Sequence, residues 1–187
     1  MTTTLMIIDM QRIFGEQTSG WFTPEFAAAS EGSRRLRAAF GQRVALTRFV
    51  APADPQGAWV PYYEDWPFAL DPANAALYDL MPEFPVDDAT VITRTTFGKW
   101  DADTRAALGN PDSLVLTGVS TDCCVLSTAL AAADAGVHVR VATDACAGAS
   151  AADHRRALDA MALYAPLIEL TTVNEVLSEM GGIPTAG

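Results

Sequence analysis

The sequence predicts a three-layer α/β/α sandwich built on a six-stranded, mostly parallel sheet. Short, almost wholly apolar runs alternate along the chain with segments that have helical patterning. Strands that are joined through helices pair in parallel, with right-handed crossovers. The chain has 187 residues, half of them hydrophobic, so we expect a single domain over 1–187 with a substantial core.

The N-terminal half contributes three predicted strands. The run TLMIIDM at 4–10 is apolar enough for a strand that is covered on both faces. We expect a strand here rather than a signal peptide, because no basic residue precedes the run and Asp9 ends it. A helix is predicted over 25–40, and the second and third strands over 44–50 and 89–95.

The C-terminal half continues the alternation. A short helix is predicted to follow Asp101 and to end near Gly109. An Ala-rich helix is predicted over 121–135, because Gly136 is a typical residue to close it. The other predicted elements are strands over 113–119, 137–143 and 166–172 and helices over 151–164 and 173–180.

The segment 51–88 does not follow this alternation of strands and helices. It contains seven prolines and a group of aromatic residues, which is too aromatic for a linker. It could be a long loop that packs on its own domain, or it could form a pocket wall, a lid or a subunit contact. Long loops in compact domains commonly serve a function, so we favour the second group of interpretations.

Charge and cysteine content restrict the possible partners and the compartment. The formal net charge of −11 repels phosphate backbones and anionic lipid, so we expect a small-molecule substrate, no nucleic acid and no membrane partner. No apolar stretch approaches the roughly 20 residues that span a bilayer. The three cysteines, Cys123, Cys124 and Cys146, are odd in number and two are adjacent, which favours a reducing, cytoplasmic location.

Ionisable residues follow the first and third predicted strands, at the sheet edge where ligands of such folds bind. Asp9 ends the first strand, where a partly desolvated carboxylate can act as a base; an isolated Asp could equally be a helix cap or an ion-pair partner. Arg94 and Lys99 follow the third strand, and either could bring a cation to Asp9. Lys99 is the one lysine beside eleven arginines. The alternative for Arg94 is a structural ion pair, and the alternative for Lys99 is a solvated loop residue.

The stretch GVSTDCCV at 118–125 joins the fourth strand to its helix. Gly118 permits an unusual backbone turn, and Ser120 or Thr121 can cap the helix. Cys124 then falls in the first helical turn, where free N–H groups and the helix dipole favour a thiolate and could hold an oxyanion. Cys123 and Cys146 are expected to be small buried hydrophobes.

A serine triad is a competing interpretation of the same stretch. Gly118, Ser120 and Asp122 half-match the G-x-S-x-G nucleophile turn, and Asp144 and His154 follow in the order that such triads use. Asp122 stands where that turn needs its second glycine, and no Gly-rich oxyanion loop lies upstream. We therefore favour the cysteine.

These motifs resemble the isochorismatase-like cysteine hydrolases over nearly the whole chain. The resemblance rests on Asp9-Met10-Gln11, on a basic residue after the third strand, and on G-V-x-T-D-x-C-V. It implies a six-stranded, Rossmann-like parallel sheet and a catalytic triad of Asp, Lys and Cys. It also implies an oxyanion hole of backbone amides beside a cis peptide just before the motif threonine. By that register Asp9 is the base, Cys124 is the nucleophile, and Ser120 and Cys124 supply the amides.

The third member of that triad has two candidates. In RTTFGKW, 94–100, the register puts Arg94 at the family's lysine position and Phe97 and Trp100 at its aromatic positions. Arg94 can supply positive charge but does not deprotonate. Lys99, five residues later, could do both if its loop folds inward. The register slightly favours Arg94, and Lys99 is retained as the one lysine.

The resemblance also bears on metals. Nicotinamidase-like members carry Asp-x-His and a further His after the second strand, and these residues bind a metal. Here TRFVAPADPQGAW at 47–59 has Asp54 and no histidine. We therefore expect no metal and no other cofactor.

Together these features predict a cysteine-dependent amidase. Its reaction would be hydrolysis of a small amide, carbamoyl or lactam C–N bond through a thioester. Two alternatives remain: a vinyl-ether hydrolase of the isochorismatase type, which needs the Asp but not the cysteine, and a non-catalytic binding or partner subunit. The family commonly forms dimers or tetramers, which implies a homo-oligomer. The predicted pocket wall consists of Phe14, Trp59, Tyr62, Trp66 and Trp100.

Overall fold

The computed structural model describes residues 2–181, which form a six-stranded sheet between two layers of helices. All five strand pairings are parallel, and the strand order is β3-β2-β1-β4-β5-β6. The predicted three-layer sandwich is therefore confirmed. The strands are β1 (Thr3–Ile8), β2 (Val44–Phe49), β3 (Thr90–Arg94), β4 (Ser113–Val119), β5 (His138–Ala147) and β6 (Ile168–Thr171).

Seven α-helices accompany the sheet in the described residues. Helices were predicted at the positions of α2, α4, α5, α6 and α7, whereas the four-residue α1 was not predicted. The aromatic segment 51–88 is not a plain loop, because it contains α3 and two 3₁₀ helices, Pro67–Leu70 and Pro72–Tyr78. The α-helices are α1 (Arg12–Gly15), α2 (Phe26–Phe40), α3 (Trp59–Asp65), α4 (Ala102–Ala107), α5 (Leu126–Asp134), α6 (Ala151–Ala162) and α7 (Val173–Met180).

The strand β1 lies at the centre of the sheet and is covered on both faces. Leu5 and Ile7 belong to the core that the sheet forms with α2 and α7, whereas Met6 and Ile8 belong to the core on the side of α5 and α6. Side chains alternate between the faces of a strand, so a strand buried on both faces favours apolar residues at successive positions. This explains the unbroken apolar run that precedes Asp9.

The order of the strands reverses between β1 and β4. The chain passes from β1 outward to β2 and β3, returns to β4 on the other side of β1, and continues to β5 and β6. Crevices for ligands form at such switch points, outside the carboxyl ends of the strands. Ile8 pairs with Gly118 at this end, so the residues that follow β1 and those that follow β4 meet there.

Close contact between β1 and β4 requires a glycine at 118. Gly118 has a φ of +108°, which residues with a side chain rarely adopt, and a Cβ atom there would lie 2.1 Å from the carbonyl oxygen of Ile8. The neighbouring atoms are backbone and cannot move aside. Gly118 thus sets the separation of the two strand ends that carry the candidate site.

A search of residues 2–181 finds no helix with the length and apolar character needed to cross a bilayer.

Substitution Gly118→Ala tests this steric requirement. We expect it to lower the free energy of unfolding by about 3 kcal/mol or more, since it adds a backbone clash to the strain of positive φ. The control is Gly136→Ala, whose φ is +78° and whose Cβ would meet nothing within 4 Å; we expect a loss of about 1–2 kcal/mol. Urea unfolding measures both, and equal losses would contradict the clash.

Candidate active site

A buried ion pair lies at the switch point. Lys99 Nζ is 3.0 Å from Asp9 Oδ2, and both side chains are fully buried. The ammonium also donates a hydrogen bond to the carbonyl oxygen of Thr96 (2.7 Å) and lies 5.1 Å from the centre of the Phe49 ring. A buried charge is tolerated only when it is paired and hydrogen-bonded. Lys99 meets both conditions, with Asp9 as its ion-pair partner and the Thr96 carbonyl as its hydrogen-bond acceptor.

Asp9 is held in an unusual backbone conformation immediately after β1. Its φ of +48° is in the left-handed region, which aspartate enters more readily than most residues. The Thr47 hydroxyl accepts a hydrogen bond from the Asp9 N–H (3.1 Å) and donates one to Asp9 Oδ1 (2.6 Å). Within the described residues Oδ2 accepts no hydrogen bond of regular geometry. Thr47 thus holds Oδ1, whereas Oδ2 faces the Lys99 ammonium at 3.0 Å.

Gln11 supports the site rather than entering it. Its side chain is fully buried; the amide group donates to the carbonyl oxygens of Phe49 (2.9 Å) and Tyr78 (2.6 Å), and Oε1 accepts from the Phe49 N–H (2.8 Å). These three bonds join the ends of β1 and β2 to the 3₁₀ helix that ends at Tyr78. Gln11 thereby fixes the position of the chain just after Asp9.

Cys124 lies in a π-helical turn, Thr121–Val125, between β4 and α5. The peptide bond between Val119 and Ser120 is cis. The Thr128 hydroxyl donates to the carbonyl oxygen of Cys124 (2.7 Å) and accepts from the N–H of Lys99 (3.0 Å). One threonine therefore connects the turn that carries the cysteine with the loop that carries the lysine.

The thiol of Cys124 is buried close to the Asp9 carboxylate. Its side chain is 3% exposed, and desolvation, reinforced by the nearby Asp9 carboxylate, raises the pKa of the Cys124 thiol well above its ordinary value. Lys99 opposes this effect. The N–H groups and dipole at the start of the helix, which favour a thiolate, are thus opposed by burial and by the Asp9 carboxylate.

Arg94 does not contact Asp9. Its guanidinium donates two hydrogen bonds of 3.0 Å to the Asp101 carboxylate and a third to the Thr104 hydroxyl (2.9 Å). The hydrogen bond from Arg94 lowers the pKa of Asp101 to about 2. The preference for Arg94 is corrected, because β3 is the edge strand and lies two strands from β1, or about 10 Å at usual strand spacing. The loop after β3 instead folds back and brings Lys99 inward, so Lys99 is not a solvated residue.

The alternative serine triad is not assembled. The Ser120 hydroxyl donates to Asp122 (3.1 Å), and His154 Nδ1 lies 2.8 Å from the Thr121 hydroxyl. Asp144 accepts a hydrogen bond from the backbone N–H of Val173 (2.8 Å). Each of the three candidate side chains thus has a partner outside the triad.

A cavity of about 530 Å³ opens beside Cys124 and is lined mainly by aromatic rings. Of the five residues predicted for its wall, Phe14, Tyr62 and Trp66 line it. Trp59 lies behind the wall, with its ring centre 5.2 Å from that of Tyr62. Trp100 belongs to the core on the side of α5 and α6. The predictions for Trp59 and Trp100 as lining residues were therefore wrong, since both rings are turned into packing contacts.

Four further rings in the wall were not predicted as substrate-binding residues. Trp21 contacts Phe14, Tyr62 and Trp66 with ring centres about 6 Å apart. Trp21 precedes α2 in a segment without periodic patterning, so nothing in the sequence indicates that it folds against 51–88. The four rings are Trp21, Phe22, Phe49 and Phe97.

Metal ligands are not grouped in the described part of the chain. Within residues 2–181 there is no cluster of three or more His, Cys, Asp or Glu side chains that could hold an ion. Asp54 is exposed in the loop after β2. The expectation that the protein needs no metal remains a prediction.

Comparisons with known proteins agree on one family. The model of the Isochorismatase domain matches residues 3–175. The uncharacterized isochorismatase family protein YecD of Escherichia coli O157:H7 is 28% identical over 184 residues, 96% of each chain. Isochorismatase domain-containing protein 2 of Xenopus laevis is 36% identical over 105 residues, 54% of this chain, and the match spans half of that protein's length.

Solved structures share the fold. A cysteine hydrolase from Pseudomonas syringae pv. phaseolicola superposes with a TM-score of 0.82 at 21% identity, covering 97% of this chain and 93% of the other. At that identity the likeness establishes the architecture.

Removal of the anion and of the cation in turn tests how each charge affects the pKa of the Cys124 thiol. We expect Asp9→Asn to lower the pKa of the Cys124 thiol, because it removes a negative charge that opposes ionisation, and Lys99→Met to raise it. The control, Arg94→Met, removes a cation from the same strand–loop region and should leave the pKa of the Cys124 thiol unchanged. The pH dependence of iodoacetamide labelling, followed by mass spectrometry of the Cys124 peptide, measures all three. An effect of Arg94→Met as large as that of Lys99→Met would contradict the assignment of the cation.

Proposed function

Because the chain belongs to the isochorismatase family, we propose that it is a cysteine-dependent hydrolase of small amide, carbamoyl or lactam C–N bonds. The observation that carries this proposal is the buried Asp9–Lys99 ion pair of 3.0 Å beside the buried thiol of Cys124. A base, a cation and a nucleophile beside an apolar cavity are groups that can carry out acyl transfer.

In the proposed mechanism Asp9 acts as the general base. The Asp9 carboxylate accepts the thiol proton as the sulfur of Cys124 attacks the substrate carbonyl. Since the pKa of Cys124 is raised, proton removal accompanies the attack and no stable thiolate precedes it. Lys99 stays positively charged and balances the negative charge that passes from the carboxylate to the sulfur and the carbonyl oxygen.

The rest of the cycle uses the same proton acceptor. The backbone N–H groups of Ser120 and Cys124 are the proposed donors to the tetrahedral oxyanion. Collapse breaks the C–N bond, and Asp9 returns its proton to the leaving nitrogen. A water molecule, deprotonated by Asp9, then attacks the thioester carbonyl; the acid product leaves and the proton returns to the sulfur. Each step balances without a cofactor.

The proposal also includes the oligomeric state of this chain and its location in the cell. We expect a dimer or tetramer of this chain that acts in the cytoplasm, as the cysteine content and the family resemblance indicate. Size-exclusion chromatography with light scattering measures the assembly directly.

Replacement of the two adjacent cysteines tests the nucleophile. We expect Cys124→Ala to lower the rate of ammonia release from amide substrates by several orders of magnitude, because the attacking atom is lost. Cys123→Ala is the matched control and should keep most of the activity, since its thiol contacts Asp122 (3.6 Å) rather than Asp9. A screen over small primary amides provides the substrate. Equal losses, or an active Cys124→Ala, would overturn the covalent mechanism.

A further inference from the structure

The wall of the cavity contains seven aromatic rings. Trp21 lies at its centre, with ring centres 6.1 Å from Tyr62, 6.2 Å from Trp66 and 5.7 Å from Phe49. Trp66 is 38% exposed and lines the cavity where it meets solvent. Aromatic rings attract cations through their negative faces, most strongly for tryptophan, and the attraction grows when the site is desolvated.

One carboxylate in the wall has only neutral partners. Asp122 lines the cavity, and its oxygens accept from the Ser120 hydroxyl (3.1 Å), the Ala149 N–H (2.9 Å) and the Cys123 thiol (3.6 Å). Within residues 2–181 it forms no ion pair with a basic side chain. A cationic group in the cavity would therefore meet a negative charge that the protein itself leaves unbalanced.

The nearby cations do not cancel that charge. Lys99 lies behind the Phe49 ring and is paired with Asp9 at 3.0 Å. His154 does not line the cavity and lies 2.8 Å from the Thr121 hydroxyl; burial and Arg155 lower the pKa of its imidazole. Among the described residues that line the cavity, Asp122 is the one acidic side chain, and no Lys, Arg or His is among them.

We propose that this cavity selects amides whose non-reacting part is a cation, such as a substituted ammonium group, over neutral amides of the same shape and over anionic ones. The cation would lie against Trp21 and Trp66, with Asp122 as its counter-charge, while the carbonyl carbon reaches Cys124. This inference rests on the proposed function for the site but concerns recognition, so binding alone can test it.

Three probes of nearly equal shape separate charge from size. They are trimethylammonioacetamide (cationic), 3,3-dimethylbutanamide (neutral, with carbon in place of nitrogen) and sulfoacetamide (anionic). Their dissociation constants are measured by calorimetry with the Cys124→Ala protein, in which no turnover interferes. We expect the cation to bind about tenfold more tightly than its neutral isostere, as a desolvated cation–π contact of this size predicts, and the anion to bind most weakly.

Two substitutions assign the effect to its residues. Trp66→Leu and Asp122→Asn, each made in the Cys124→Ala protein, should reduce the cation-to-neutral ratio several-fold. Trp59→Leu is the matched control, because that tryptophan lies behind the wall, and it should leave the ratio unchanged. A neutral probe that binds as tightly as the cation, or no measurable binding of the cation, would overturn the inference.

Failure of the inference and failure of the proposed function give different results. If the cation binds selectively to the Cys124→Ala protein but the wild-type enzyme releases no ammonia from any amide, the recognition is supported and the hydrolase proposal is contradicted. If the wild-type enzyme hydrolyses all three probes at equal rates, the hydrolase is supported and the selection of cations is contradicted.

Discussion

The buried contact between Asp9 and Lys99 is the interaction on which the rest of this site depends. Removing two charges from water costs several kcal/mol each, and Coulomb attraction offsets that cost only when the geometry is close and further hydrogen bonds are present. Thr47 supplies them on the side of the carboxylate and the carbonyl of Thr96 on the side of the ammonium. Apolar residues of similar volume often replace a buried ion pair without loss of stability, so the presence of this pair supports its proposed catalytic role.

That ion pair also explains how a buried cysteine could react. Burial and Asp9 raise the pKa of Cys124, which suits a nucleophile that is activated only while substrate is bound. Topology brings the parts together: β1 and β4 meet at Gly118, and Thr128 ties the Lys99 loop to the cysteine turn.

Local sequence patterns predicted the parts of this arrangement that depend on the period of a strand or on a motif. The apolar run before Asp9 predicted a central strand, and β4 begins and ends at the predicted residues, Ser113 and Val119. The path of the loop after β3 is not a local property, so the register favoured Arg94 although Lys99 makes the contact. For the same reason Trp21 was missed, since its contacts come from α3 and the segments around it.

A direct test of the account is capture of the covalent intermediate. An amide that the enzyme hydrolyses is mixed with it, and the reaction is quenched in acid within one turnover. Intact-mass spectrometry should then show a protein heavier by the acyl group, and peptide mapping should locate that group on Cys124. The adduct should disappear on treatment with hydroxylamine, which cleaves thioesters. Turnover without any adduct on Cys124 under burst conditions, or an adduct on Ser120, would contradict the account.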